Sequence, residues 1–270
     1  MRVVALRRYP VKSMLGEEVI EARVDAAGLD GDRTLAVIDS DTGFVATAKH
    51  PRLWRRLLEL AAETDGRVFI TFPDGTKLAA DDPEAGSRLS DLLGRAITVS
   101  GIRPDGASVE RPAPEDVLDN GVSAVVPAQT LQIGQGTPGH NFVDHSPIHL
   151  ISTATLDHLD TEAIRYRPNL VIATPPGTGA FVENHWLGKE IQFGEVGTGA
   201  RLRVTLPTPR CAVPSLAHGT LPRNPQAVRA VMAGNRVDVA GLGKAMPCAG
   251  AYAEVVRPGT LHLDDPITLA

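Results

Sequence analysis

The chain has 270 residues, a formal net charge of −5, 43% hydrophobic and 22% charged residues, which suits one large or two smaller globular domains and excludes wholesale disorder. Aromatic residues make up only 4% and no long basic run is present, so neither nucleic acid nor an anionic membrane surface is an expected partner. No apolar stretch reaches bilayer length and two cysteines are too few for a disulfide scaffold, which makes a reducing cytoplasm the expected location.

In chain order, Val3–Tyr9, Val19–Val24, Thr34–Ile38 and Arg67–Phe72 alternate or carry β-branched residues and read as strands. The breaks Gly28-Leu29-Asp30-Gly31-Asp32 and Pro73-Asp74-Gly75 separate them. Asp82 can cap a helix that has Pro83 at its first position and Leu89, Leu92 and Leu93 on one face; Ala96–Ser100 returns to strand. Residues 1–102 are therefore expected to form a small β-barrel or curled sheet with one helix. Residues 103–128, with Pro104, Pro112, Pro114 and Pro127, read as a linker or connecting loop. In 129–270, Ser152 can cap a helix through Leu159, Leu170–Ala173 suits a buried strand, and Asn224-Pro225 can start a helix with Val228, Val231 and Met232 inward. Ala251–Val256 and Thr260–Leu269 close the chain as strands around Arg257-Pro258-Gly259. The expected class is α+β, dominated by β-barrels.

A strand-like run, Ala200–Leu206, leads to Pro207 and is expected to stop there. Pro207, Pro209 and Pro214 then bracket one thiol, Cys211, next to Arg210. Proline restricts its own φ and the residue before it, so this loop should be stiff, and the neighbouring guanidinium favours a thiolate. Taken alone, such a cysteine is more often a small buried hydrophobe. Tyr9-Pro10-Val11-Lys12-Ser13 sets a cation beside a hydroxyl after a strand, and Gly28–Arg33 sets a second cation after a tight turn. Together they suit a phosphate, although no P-loop is present and each alone reads as a solvated charge. His140, His145 and His149 recur without zinc spacing and far from either cysteine. No Gly-x-Ser-x-Gly elbow supports a hydrolase. Arg165-Tyr166-Arg167-Pro168-Asn169 adds guanidiniums just before a buried strand, where a surface salt bridge is the plain alternative.

The ordered set Tyr-Pro-Val-Lys-Ser, Gly-Leu-x-Gly-Asp-Arg, Asp144-His145-Ser146-Pro147, Arg167-Pro168-Asn169, Arg210-Cys211 and Pro258-Gly259 resembles the MOSC family, in its amidoxime-reducing branch with an N-terminal β-barrel. The resemblance implies an N-terminal barrel over 1–102 and a MOSC domain over 129–270. It implies a molybdenum cofactor (Mo-molybdopterin) with the Cys211 thiolate as protein ligand to the metal. Lys12, Ser13 and Arg33 would hold the pterin phosphate; Asp144, Arg167 and Tyr252 would line the pterin or metal side, with His145 and Arg210 in the same cofactor-binding set. Cys211 and Asp144 are the catalytic candidates. The implied activity is reduction of small N-hydroxylated or N-oxide compounds. The chain lacks the cysteine-rich iron–sulfur extension of some bacterial relatives, so electrons would come from a separate donor protein of flavin, haem or iron–sulfur type. Pyridoxal phosphate is a family-level association only. The chain departs from the branch at Pro209, where a Ser is common, at His145, where a small hydroxyl residue is expected, and at Ser215–Gly219, which replaces an Asp-Pro turn. Cys248 matches no ligand position. Two alternatives stay open: persulfide sulfur transfer at Cys211, and a non-catalytic cofactor carrier.

Overall fold

In the strand Arg2–Arg8 the two fully buried core residues are Val3 and Leu6, three apart rather than two. The register against Leu170–Ala173 slips between Val3 and Ala5, and this bulge brings both side chains to the same core. The computed structural model describes residues 1–195, 199–241 and 243–270.

The main sheet runs in the order Ile267–Leu269, Glu190–Phe193, Arg201–Pro209, Ala245–Arg257, Ile148–Ser152, Leu170–Ala173, Arg2–Arg8, Glu17–Glu18. Arg236–Asp238 adds alongside Ala245–Arg257. Ile148–Ser152 and Leu170–Ala173 pair in parallel, so a crossover must join them; the helix Thr153–Leu159 forms part of it. Ser152 starts that helix by accepting the Thr155 N–H at 3.2 Å. Leu150, Leu170, Ile172, Leu202, Val204, Ala251 and Ala253 form the core of this sheet.

The first half of the chain has a second core around Trp54, Leu57, Ile70 and Leu89. Ala36–Asp39 pairs with Ile97–Ser100, and Ala61–Asp65, Arg67–Thr71 and Lys77–Ala79 form a meander. The helix Pro83–Leu93 begins as expected, with the Asp82 side chain accepting from the Glu84 N–H at 2.9 Å and Pro83 in the first turn. The two halves are sewn together. Arg2–Arg8 lies in the sheet of the second half, and Gly259–His262 pairs with Glu21–Asp25.

The α+β, strand-dominated class is the one expected; three local readings are not. The stretch 103–128 carries a strand, Ser108–Pro112, and a helix, Pro114–Asn120; the strand pairs with Ala128–Gln132 in a hairpin. Its prolines sit where they are tolerated: Pro112 at a strand end and Pro114 in a helix's first turn. The strand at Arg201 continues through Pro207 to Pro209, because Pro207 lies opposite Ala251 and Pro209 opposite Cys248 with register slips on either side. The segment 260–269 splits into Gly259–His262 and Ile267–Leu269. Asp264, with φ at 68°, turns the chain between them.

Candidate functional site

A cleft of about 370 Å³ opens between residues of the two halves, lined by Lys12, Ser13 and Arg33 from the first and by Asp144, His145, Arg167, Arg210, Cys211 and Tyr252 from the second. The fold thus gathers into one place the nine residues that the resemblance implied for the site, whereas His140 and Cys248 lie outside the lining. Its lining holds seven cations, Lys12, Arg33, Lys49, Arg111, Arg165, Arg167 and Arg210, against one carboxylate, Asp144. That excess inverts the sign of the whole chain, −5. The cleft therefore favours an anionic ligand.

Lys12 follows the buried Tyr9 and Val11, and its backbone N–H is held by the Leu35 carbonyl at 2.9 Å. Its Nζ donates to the Phe142 carbonyl at 2.8 Å and to Asp144 Oδ1 at 2.7 Å. Lys49 Nζ reaches the same carboxylate oxygen at 2.8 Å. Burial pushes the Asp144 carboxyl up, but Lys12 and then Lys49 outweigh it and hold the group well below its usual range. Burial also pulls the Lys12 ammonium down to about 8 against the attraction of Asp144. Ser13 lies beside Lys12, where its Oγ accepts the Ala48 N–H at 3.1 Å and keeps its own hydrogen to donate.

Three non-glycine residues of the lining adopt left-handed backbone: Ser13 (φ 67°), Arg33 (50°) and Arg167 (55°). Each such residue costs about 1–3 kcal/mol and persists only where the surroundings over-determine it, which functional sites do more than other places. Tyr9 is the post on which two of them lean. The guanidinium carbons of Arg33 and Arg167 lie 4.8 and 4.4 Å from its ring centroid. Arg33 is ion-paired with the buried Asp32, whose other oxygen accepts the Tyr9 N–H at 2.8 Å. Arg167 Nη1 donates to the Met14 carbonyl at 2.6 Å, while its Nη2 is buried without a partner. Burial, then the nearby Arg33 charge, lowers the Arg167 pKa to about 10.

The thiol is carried by the end of the strand Arg201–Pro209. Arg210 N–H bonds to the Pro247 carbonyl at 2.8 Å, and a short turn, Val213–Ser215, follows. Cys211 is half-buried and faces the cleft. Arg210 is turned inward. Its Nε donates to the Ala249 carbonyl at 2.9 Å, Nη1 to the Tyr166 carbonyl at 3.1 Å, and Nη2 to His149 Nε2. A guanidinium can only donate, so His149 Nε2 must accept and Nδ1 carries the hydrogen, given to the Arg167 carbonyl at 3.3 Å. Burial and then the Arg210 charge hold His149 well below its ordinary pKa, which fits this neutral tautomer. Tyr252 completes the wall, stacked on His145 at 5.8 Å and edge-on to His149 at 5.9 Å. The other thiol, Cys248, is fully buried and pushed up to about 11 by desolvation.

The sequence passed over some members of this site and gave others no role in it. Lys49 follows no recognisable signal, and Arg111 sits in the stretch read as a linker. Thr208, one residue from Pro209, is 3% exposed and its Oγ1 has no partner. Arg165, whose plain alternative was a surface salt bridge, is buried; it clasps Glu162 and the carbonyls of Leu216 and Pro222, tying down the loop that follows the thiol. Asn169, noted only within a motif, accepts the His149 N–H at 3.1 Å and donates to the Arg7 carbonyl at 3.3 Å. Among the described residues, no three His, Cys, Asp or Glu side chains converge as metal ligands. A metal in this cleft would have to bring most of its ligands with it.

Comparison with known proteins adds an independent line. Residues 1–102 match the MOSC N-terminal beta barrel domain and residues 137–268 match the MOSC domain. The chain is 25% identical to mitochondrial amidoxime-reducing component 1 of Mus musculus, over 97% of this chain and 80% of that protein. It is 27% identical to mitochondrial amidoxime reducing component 2 of Rattus norvegicus, over 96% and 80% respectively. Among solved structures, the YUAD protein of Bacillus subtilis aligns over 99% of this chain and 94% of its own, at a TM-score of 0.41 and 11% identity.

Proposed function

The chain belongs to the family that joins a MOSC N-terminal beta barrel domain to a MOSC domain, and from that premise we propose that it is a molybdenum-cofactor-dependent reductase of small N-hydroxylated or N-oxide compounds. The observation that carries the proposal is that Cys211 lies in the same cleft as Lys12, Ser13 and Arg33, although these residues come from opposite ends of the chain.

The residues present suit a phosphate-bearing cofactor. Arg167 Nη2 and Thr208 Oγ1 are buried in the cleft lining without partners. Each orphaned polar group costs about 1–3 kcal/mol until something satisfies it. In this reading Lys12, Ser13 and Arg33 hold the phosphate: a compact charge, a hydroxyl and a planar fork. Arg167, His145 and Tyr252 bound the pterin, and the Cys211 thiolate is the protein's ligand to molybdenum. When bound, the cofactor supplies the two-electron chemistry that removes the substrate oxygen as water, overall R–NHOH + 2e⁻ + 2H⁺ → R–NH₂ + H₂O.

The remaining groups position and polarise. Asp144 is locked as a carboxylate by Lys12 and Lys49, so it anchors the two lysines instead of donating a proton. Arg210 places a fixed positive charge behind Cys211, and His149 orients it. Electrons come from a separate donor protein of flavin, haem or iron–sulfur type. Pyridoxal phosphate plays no part in the reading, and the reducing cytoplasm stays with it as the expected location. Among the described residues no helix is long and apolar enough to cross a membrane.

Metal and pterin analysis of the purified protein tests the proposal, together with turnover of an amidoxime by a chemical reductant. Molybdenum and pterin in equal amounts, with turnover, are expected. A pterin-free protein carrying a persulfide on Cys211 would point to sulfur transfer, and a loaded protein without turnover to a carrier.

A further inference from the structure

The phosphate and thiol residues leave one part of the cleft unused, the hairpin of Ser108–Pro112 with Ala128–Gln132. Val109 and Arg111 are two apart on one strand, so their side chains share a face, and Val109 stands opposite Leu131. All three line the cleft. Val109 is itself fully buried in the core beneath, and Leu131, packed against that core, is the half-buried apolar residue beside the guanidinium.

Arg111, like Arg167 and Arg210, meets a backbone carbonyl and no described carboxylate, but the reading above gives it no ligand. Its Nη2 donates to the Arg210 carbonyl at 3.3 Å, which holds it against the residue preceding Cys211. It makes no ion pair with any described carboxylate, and the lining's single acid, Asp144, is already taken by Lys12 and Lys49. Nor is Arg111 buried like Arg210 and Arg165: it is half-buried, with most of its donors left over. A guanidinium in that state is a fork without a carboxylate partner, and its geometry matches one.

We propose that Arg111 is a specificity-determining residue of the cleft and that the favoured substrates are N-hydroxylated compounds bearing a carboxylate. This rests on the reductase reading above. The substrate's acid group is taken by Arg111, its flat body lies on Leu131, which the buried Val109 backs, and its N–OH end is directed toward the thiol. Ala240 and Gly241, small residues at the same cleft, leave room for such a molecule.

The test compares benzamidoxime with its para-carboxylate on the cofactor-loaded enzyme, by equilibrium binding and by steady-state kinetics. The wild type should prefer the carboxylate by about tenfold or more in both Kd and kcat/KM. Arg111→Gln should bring both ratios to about one with molybdenum and pterin content unchanged, and Arg111→Lys, a point charge without the fork, should fall between. A ratio near one in the wild type, or a preference that survives in Arg111→Gln, overturns the proposal. Failure of the reductase reading shows separately, as a fully loaded enzyme that turns over neither compound; the binding ratios still decide the role of Arg111.

Discussion

Lys12 and Arg33, from the first half of the chain, each meet a carboxylate: Lys12 shares Asp144 with Lys49, and Arg33 is ion-paired with Asp32. Arg167 and Arg210, from the second half, meet none. Their partners are backbone carbonyls and the neutral His149 ring, although Arg210 is only 6% exposed. A buried charge without a counter-charge is expensive, and proteins place such charge where a ligand offsets it. In the first set Arg33 is balanced by Asp32 before anything binds, and Lys12 in part, since it shares Asp144 with Lys49. The second set is balanced only by an anion, and a thiolate at Cys211 and an anionic pterin are of the right sign.

Removing the anion from the unbalanced side should have the largest effect. Cys211→Ser is expected to reduce reductase activity to background, since a hydroxyl poorly replaces a soft thiolate ligand, while part of the pterin stays on the phosphate residues. Activity and pterin content measured on one preparation check this. On the balanced side, Arg33→Ala should both release pterin and destabilise the fold by about 3–5 kcal/mol, because it strands the buried Asp32. Urea unfolding of the ligand-free variant checks the second half of that statement. A variant that loses pterin at unchanged stability would mean that Asp32 does not need its partner.

A smaller, pH-dependent effect sharpens the same contrast. The Lys12 ammonium is held down to about 8 from an ordinary 10.5. Between those values the unfolded chain keeps a proton that the folded protein has released, so this group adds stability as the pH rises through that window. Its charge is meanwhile lost to a ligand. The affinity of the ligand-free protein for inorganic phosphate should fall by up to about tenfold across pH 7–9, and Lys12→Arg should flatten the dependence. Calorimetry at several pH values measures it. The smallest effect is expected away from both walls: Cys248→Ala should cost about 1 kcal/mol of stability and leave metal content unchanged.

The sequence revealed the elements whose signals are local. Asp82-Pro83 marked a helix because a cap and a first-turn proline are chemical features of neighbouring residues. The Cys211 loop was visible for a similar reason, as a thiol between prolines beside a guanidinium. The prolines misled where their tolerance depends on distant strands. Pro207 and Pro209 stay in a ladder because Ala251 and Cys248 lie opposite them, and Pro112 and Pro114 punctuate a strand and a helix instead of a linker. The basic cleft was illegible as a patch, since its cations come from separate segments around 12, 33, 49, 111, 165–167 and 210. Lys49 shows the limit most plainly. Nothing in Thr47-Ala48-Lys49 points to Asp144, and only the fold brings the two within 2.8 Å.

Differential alkylation reads directly what Cys211 does. Both cysteines are free thiols, so the deeply buried Cys248 serves as an internal control in the same mass spectrum. A thiolate bound to metal is unavailable to an alkylating reagent, whereas a nucleophile that carries a persulfide must stay accessible. Cys211 should resist iodoacetamide in the molybdenum-loaded protein and react readily once the cofactor is stripped, with Cys248 unmodified in both. Rapid alkylation of Cys211 in fully loaded protein would contradict its role as the metal ligand.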